Sequence, residues 1–133
     1  MNFFTSLAGL ALTLCVFAQK ENDRIKLNQV GFYPAAPKLA VVTGKTGATQ
    51  FTVTSPDGRT TFYTGKLSGE KRSQYSSTVT KTADFSAFKK RGRYVISVPG
   101  VGTSYAFTIG DDVHAETAKA VLKGFYFIRS DMP

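Results

Sequence analysis

Few side chains in this sequence have the type and spacing that chemistry needs. Asp111 and Asp112 form its one adjacent acid pair, and His114 is its one histidine. Two carboxyls share acid and base work only when both converge on one substrate bond. Here they stand just ahead of a helical stripe, where a negative charge and a side-chain acceptor cap free N–H groups, and capping is the reading adopted. With the two aspartates His114 could form a weak cation site, but a solvated helix N-terminus is the reading preferred. One histidine without a mature cysteine cannot make a zinc site of ordinary ligand count. Asp57 belongs to a Pro-Asp-Gly turn, Asp84 caps a short turn, Glu70 sits in a polar loop and Glu116 in the helix's first turn. No serine lies in a nucleophile elbow, and no glycine-rich phosphate loop is present. The expectation is a chain with no catalytic residue, no metal ligands and no cofactor.

The formal net charge is +8, and its densest run is Lys89-Lys90-Arg91-Gly92-Arg93. A polyanion or nucleic-acid patch would lose affinity steeply with salt. A solvated turn between two strands explains the run without a ligand, and that reading excludes nucleic acid as a partner. Tyr33, Tyr63, Tyr75 and Tyr105 could stack on sugar rings, although at alternating strand positions such rings serve more often as core or sheet cover. Gly92-Arg93-Tyr94 has the form of a tyrosine corner, whose hydroxyl bonds back to the backbone.

The elements that must place these residues are short. Residues 24–30 alternate, with Ile25 and Leu27 on one side, and Pro34 and Pro37 break the run. Residues 39–43 are apolar on both faces and are expected to be buried. Residues 50–54 and 60–64 flank Ser55-Pro56-Asp57-Gly58, a hairpin turn. Residues 73–82 suggest a strand with one wet face, or an edge strand. Residues 93–98 and 103–109 alternate around Pro99-Gly100. About seven short strands separated by Gly, Pro and Asp turns predict an all-β sandwich over residues 19–110. From Val113 the period changes: Ala118, Val121, Leu122, Phe125 and Tyr126 form a helical stripe within residues 111–133. Phe125, Tyr126 and Phe127 in succession leave at least one ring pointing away from the strands. A helix this short is marginal alone and needs a surface to dock on. Val121, Leu122, Phe125, Tyr126 and Phe127 are therefore the expected domain-interface residues.

Residues 1–18 read as a secretory signal, with an apolar stretch from Leu7 to Phe17 and cleavage after Ala18. That stretch is too short to span a bilayer, which takes about 20 residues. Cys15 lies within it, and Leu14 is not the small residue that lipidation requires. The mature chain would have no cysteine and no disulfide, and would be secreted or periplasmic. Its roughly 115 residues suffice for an ordinary core.

The run Ile25-Lys26-Leu27-Asn28-Gln29-Val30-Gly31-Phe32, then Pro37-Lys38 and Ala40-Val41-Val42, resembles the immunoglobulin-like domain that precedes the catalytic domain in bacterial family 9 glycoside hydrolases. Asp84-Phe85-Ser86, Gly92-Arg93-Tyr94 and residues 104–109 follow in family order. Residues 120–130 look like the helix that begins the catalytic (α/α)6 barrel. The resemblance implies a parent enzyme that hydrolyses β-1,4-glucosidic bonds with inversion at the anomeric carbon, using two carboxyls about 6.5–9.5 Å apart. Both lie in the barrel, and no residue here matches their motifs. It also implies that this chain stops before that domain, its partner within the same polypeptide, and that the module buttresses the barrel. β-Glucan is a further candidate partner, and a free-standing carbohydrate-binding or adhesion module is the rival reading.

Overall fold

The computed structural model describes residues 22–129, so the signal reading falls outside the described residues. Among the described residues nine strands precede one helix: β1 Ile25–Lys26, β2 Leu39–Thr43, β3 Gln50–Thr54, β4 Thr61–Lys66, β5 Lys71–Arg72, β6 Val79–Asp84, β7 Gly92–Val98, β8 Gly102–Thr103, β9 Phe107–Ile109 and α1 Ala115–Arg129. One sheet runs β1-β2-β6-β5 and the other β4-β3-β7-β8, with β9 also on β7; every strand pair is antiparallel. Two isolated bridges add to these pairings: Leu67 with Ala83 of β6 links the two sheets, and Phe32 runs parallel to Ile109 of β9. The result is the expected immunoglobulin-like sandwich followed by a helix.

The strand boundaries differ from the expectation where polar side chains offer the backbone another partner. Only Ile25 and Lys26 of residues 24–30 pair, because Asn28 turns the chain: its Oδ1 accepts from Val30 N (3.0 Å) and its Nδ2 donates to the Gly31 carbonyl (2.9 Å). Residues 73–78 form a loop, since the Ser73 and Ser76 hydroxyls accept from Tyr75 N and Thr78 N. The last expected strand splits into β8 and β9, and the buried Ser104 hydroxyl between them accepts from Ile96 N at 2.9 Å.

The core is aromatic. Phe32, Phe85 and Phe107 meet with centroids 5.4–5.7 Å apart, and Phe88 packs edge-on against Tyr94 at 5.0 Å. Ala40 and Val42 point inward from β2, whereas Leu39 and Val41 face solvent, 49% and 37% exposed. The expectation that β2 is buried on both faces is thus corrected: it is an inner strand of a sheet with one wet face. A bulge in the β3–β4 pair, where Val53 opposes Tyr63 and Thr54 opposes Thr61, leaves Phe62 as the extra residue. Both neighbouring rings then reach aromatic partners, Phe62 against Tyr94 (5.3 Å) and Tyr63 against Phe88 (5.9 Å). The β3–β4 hairpin closes as expected, with Gly58 N donating to the Ser55 carbonyl at 2.8 Å.

Lys38 is wholly buried, and among the described residues no carboxylate stands within hydrogen-bond reach of it. Its Nζ donates to the Pro34 and Ala36 carbonyls, each at 2.8 Å, and its backbone N donates to Ser86 Oγ. The charge-assisted bonds close the proline-rich loop on itself, while the Lys38 backbone, donating to Ser86 Oγ and accepting from Phe85 N at 3.0 Å, ties it to the β6–β7 connection.

Candidate functional site

The antiparallel registers bring residues 28–38, 85–91 and 110–114 to one end of the sandwich. The two motifs from opposite ends of the sequence meet there. Phe32 N donates to the Thr108 carbonyl (2.9 Å), and Gly110 N donates to the Phe32 carbonyl (3.1 Å). Gly31 lies between β9 and the lead-in to α1 with φ +131°, and a Cβ on it would stand 2.8 Å from Thr108 O and 3.0 Å from Val113 Cβ. Only glycine accepts both that backbone angle and that approach. The Tyr33 ring meets the His114 ring edge-on at 4.9 Å.

A second clamp comes from the basic run. Arg91 grips Asp111 with Nε at 2.6 Å and Nη2 at 3.1 Å, a two-pronged pair open to solvent. Lys90 Nζ stands 4.8 Å over the Phe62 ring. The run is the solvated turn before β7 that the sequence suggested. The tyrosine corner also forms, through Tyr94 Oη to the Arg91 carbonyl at 2.9 Å.

Capping by Asp111 and Asp112 is corrected. The helix starts at Ala115; Ala118 N donates to the His114 carbonyl, so His114 holds the N-cap position. Asp112 contributes its carbonyl to the preceding turn, accepting from Ala115 N, and Asp111 belongs to Arg91. The lead-in needs these extra residues to pass Gly31 before the chain can coil. Asp84 caps its turn as expected, accepting from Ser86 N at 2.9 Å.

α1 leaves this joint, and none of its residues is buried. Val121, Leu122, Phe125, Tyr126, Phe127 and Ile128 are 51–75% exposed. At about 100° per residue, the apolar and small residues cover roughly two thirds of its circumference. Ala118, Val121, Leu122, Phe125 and Tyr126 share one side. Glu116, Lys119 and Lys123 hold the polar stripe, and Phe127 borders it with Lys123 Nζ 5.8 Å from its ring centroid. A helix this apolar is normally enclosed by protein.

Of the four tyrosines weighed as core or sheet cover, only Tyr63 packs on the core; Tyr33, Tyr75 and Tyr105 are exposed, Tyr75 by 89% at the end opposite α1. Among the described residues there is no concave pocket, no cluster of three His, Cys, Asp or Glu that could hold a metal, and no helix long and apolar enough to cross a membrane. Lys38 is the residue that sequence reasoning missed; its one signal was a lysine set between Pro37 and an apolar strand.

Fold and joint together define an immunoglobulin-like sandwich that carries one exposed helix. Residues 20–103 match the cellulase N-terminal Ig-like domain. The chain belongs to that family. It is 36% identical over 132 residues to a xyloglucan-specific endo-beta-1,4-glucanase of Bacteroides ovatus, covering 98% of this chain and 22% of that protein. It is 35% identical over 108 residues to endoglucanase D of Acetivibrio thermocellus, covering 81% of this chain and 17% of that one. A solved Bacteroides ovatus family 9 structure superposes with a TM-score of 0.70 at 35% identity, over 81% of this chain and 19% of that chain. The chain spans about a fifth of the length of the curated relatives it matches.

Proposed function

We propose that this chain is the non-catalytic N-terminal module of a secreted or periplasmic endo-β-1,4-glucanase, and that it buttresses the enzyme's catalytic domain. Residues 1–18 are the export signal, 19–110 the sandwich, and 111–133 the connection into an (α/α)6 domain of the same polypeptide. Val121, Leu122, Phe125, Tyr126 and Phe127 form the contact. One observation carries this reading: a helix with six large apolar side chains has no buried residue. Covering each such side chain would contribute about 1.5–3 kcal/mol to a domain contact. The relatives that share this sandwich are glucanases by name and several times longer.

The test is hydrolysis and retention by the pure chain. Incubation with soluble cellulose, mixed-linkage glucan and xyloglucan is expected to release no reducing ends, and the chain should not sediment with insoluble cellulose. Reproducible release would make it an enzyme in its own right. Retention on cellulose at both low and high salt would make it a free-standing carbohydrate-binding module.

A further inference from the structure

We infer that the end of the sandwich opposite α1 is a cationic face that rests on an anionic lipid surface. Because α1 leaves from the other end, this face stays open whatever covers the helix. The registers gather residues 22–25, 43–50, 66–79 and 98–103 there. Lys45, Lys66, Lys71 and Arg72 are all exposed at this end, and among the described residues none of them has a carboxylate partner. Lys45, Lys71 and Arg72 flank the start of β6. Gly44 N, next to Lys45, donates to the Val79 carbonyl, while β5 sets Arg72 opposite Val79 and Lys71 opposite Thr80. Lys66 joins them from the other sheet, opposite Gln50. Arg24 adds its guanidinium, which donates to the Thr43 and Lys45 carbonyls at 2.9 Å each. The carboxylates at this end are Glu70 and Asp23, and Lys26 holds Asp23. At the α1 end, by contrast, Arg59 and Arg91 face Asp57 and Asp111. Cations grouped on one side of a molecule without counter-charges add their fields and draw an anionic surface to it.

Three features select a lipid surface over a single anionic polymer. There is no concave pocket among the described residues, so this end offers a plane and not a groove for one chain. Tyr75 projects from it, 89% exposed, within residues 73–78, which are Ser, Gln, Tyr and Thr without an acid. An aromatic ring with a polar tip settles at the level of lipid headgroups. The chain also enters the fold here, since Asn22 N donates to the Thr103 carbonyl at 2.8 Å. This end is therefore the part of the fold nearest to a membrane that holds the segment read as an export signal.

Co-sedimentation of the exported chain, residues 19–133, with vesicles tests this, using phosphatidylcholine alone and phosphatidylcholine mixed in equal parts with phosphatidylglycerol. The chain should bind the mixed vesicles more tightly than the neutral ones, and the difference should shrink as salt rises. Affinity should fall about fivefold for each cation removed, the worth of one basic residue near an anionic leaflet. Lys45→Gln with Lys71→Gln should therefore cost about 25-fold. Lys45→Glu, Lys66→Glu, Lys71→Glu and Arg72→Glu together should abolish binding. All four positions are exposed, so both variants should melt as wild type does, which separates lost charge from lost fold. The chain has no tryptophan, so Tyr75→Trp and Phe125→Trp each give it a single probe. Emission of Tyr75→Trp should shift to the blue on the mixed vesicles. A shift in Phe125→Trp alone would assign the lipid contact to α1 and overturn the inference. Equal binding to both kinds of vesicle, binding to neither, or binding kept by the four-charge variant would also overturn it. Tighter binding to a soluble polyuronate than to the mixed vesicles would assign the face to an acidic polysaccharide instead. None of these outcomes touches the proposed function, which hydrolysis and cellulose retention decide.

Discussion

The phenolic hydroxyl of Tyr94 donates to the carbonyl of Arg91 at 2.9 Å, three residues back along the chain. The same Arg91 holds Asp111 with its guanidinium, so one residue links the start of β7 to the lead-in of α1. Burial raises the Tyr94 pKa above 10.0 and keeps the hydroxyl a donor. Tyr94→Phe is expected to cost about 1 kcal/mol in urea unfolding, the worth of one buried neutral hydrogen bond. Gly92→Ala should cost about 1–3 kcal/mol, because φ is +147° and the new Cβ would sit 2.7 Å from Tyr94 Oη.

Lys38→Met retains an apolar stem and removes both bonds to the Pro34 and Ala36 carbonyls. A loss of about 1–3 kcal/mol is expected. Burial lowers the pKa of the ammonium below 10.5, Lys89 adds to the effect, and Asp84 opposes it. The unfolded chain then binds more protons than the native one between the lowered value and 10.5. Stability from this residue therefore grows as pH rises through that window and is lost as pH falls through the native value. Unfolding curves of wild type and variant should separate further between neutral pH and 10.5, and parallel curves would refute the assignment.

Asp84 shows the opposite limb. Hydrogen bonds from the Ser86 side chain and then its backbone N–H hold its carboxyl below 3.8, with the Lys38 charge helping. Its stabilisation is present above 3.8 and disappears as pH falls through the lowered native value. Asp84→Asn should flatten the acid side of the stability profile and leave the neutral side parallel to wild type, as read by melting temperature against pH.

In the free chain α1 is held by little besides its own hydrogen bonds. Its amides should exchange with solvent about a thousandfold faster than those of β7, which opens only with the whole sandwich. Leu122→Asp should change the stability of the free chain by no more than about 0.5 kcal/mol, as for an exposed position. It should also raise the monomer fraction at high concentration by interrupting the apolar side. Slow exchange in α1, or a large loss with Leu122→Asp, would mean that the helix is packed on the sandwich.

Much of this was legible in the order of residues. Alternation in β3 and β7, the Pro-Asp-Gly hairpin, Tyr94 behind Gly92, and the change of period at Val113 each depend on neighbours a few residues away, so a linear reading captures them. The helix side formed by Val121, Leu122, Phe125 and Tyr126 followed from the same local geometry, while Phe127 stands at the edge of the polar stripe beside Lys123. Other features depended on partners far along the chain. The meeting of Gly31 with Val113, the grip of Arg91 on Asp111, the seclusion of Lys38 and the exposure of Leu39 and Val41 all follow from which strands pair and at what register. Periodicity shows which side of a strand is oily; only the packed sheets decide which side the core takes and which residues from opposite ends of the sequence, such as Gly31 and Val113, share one joint.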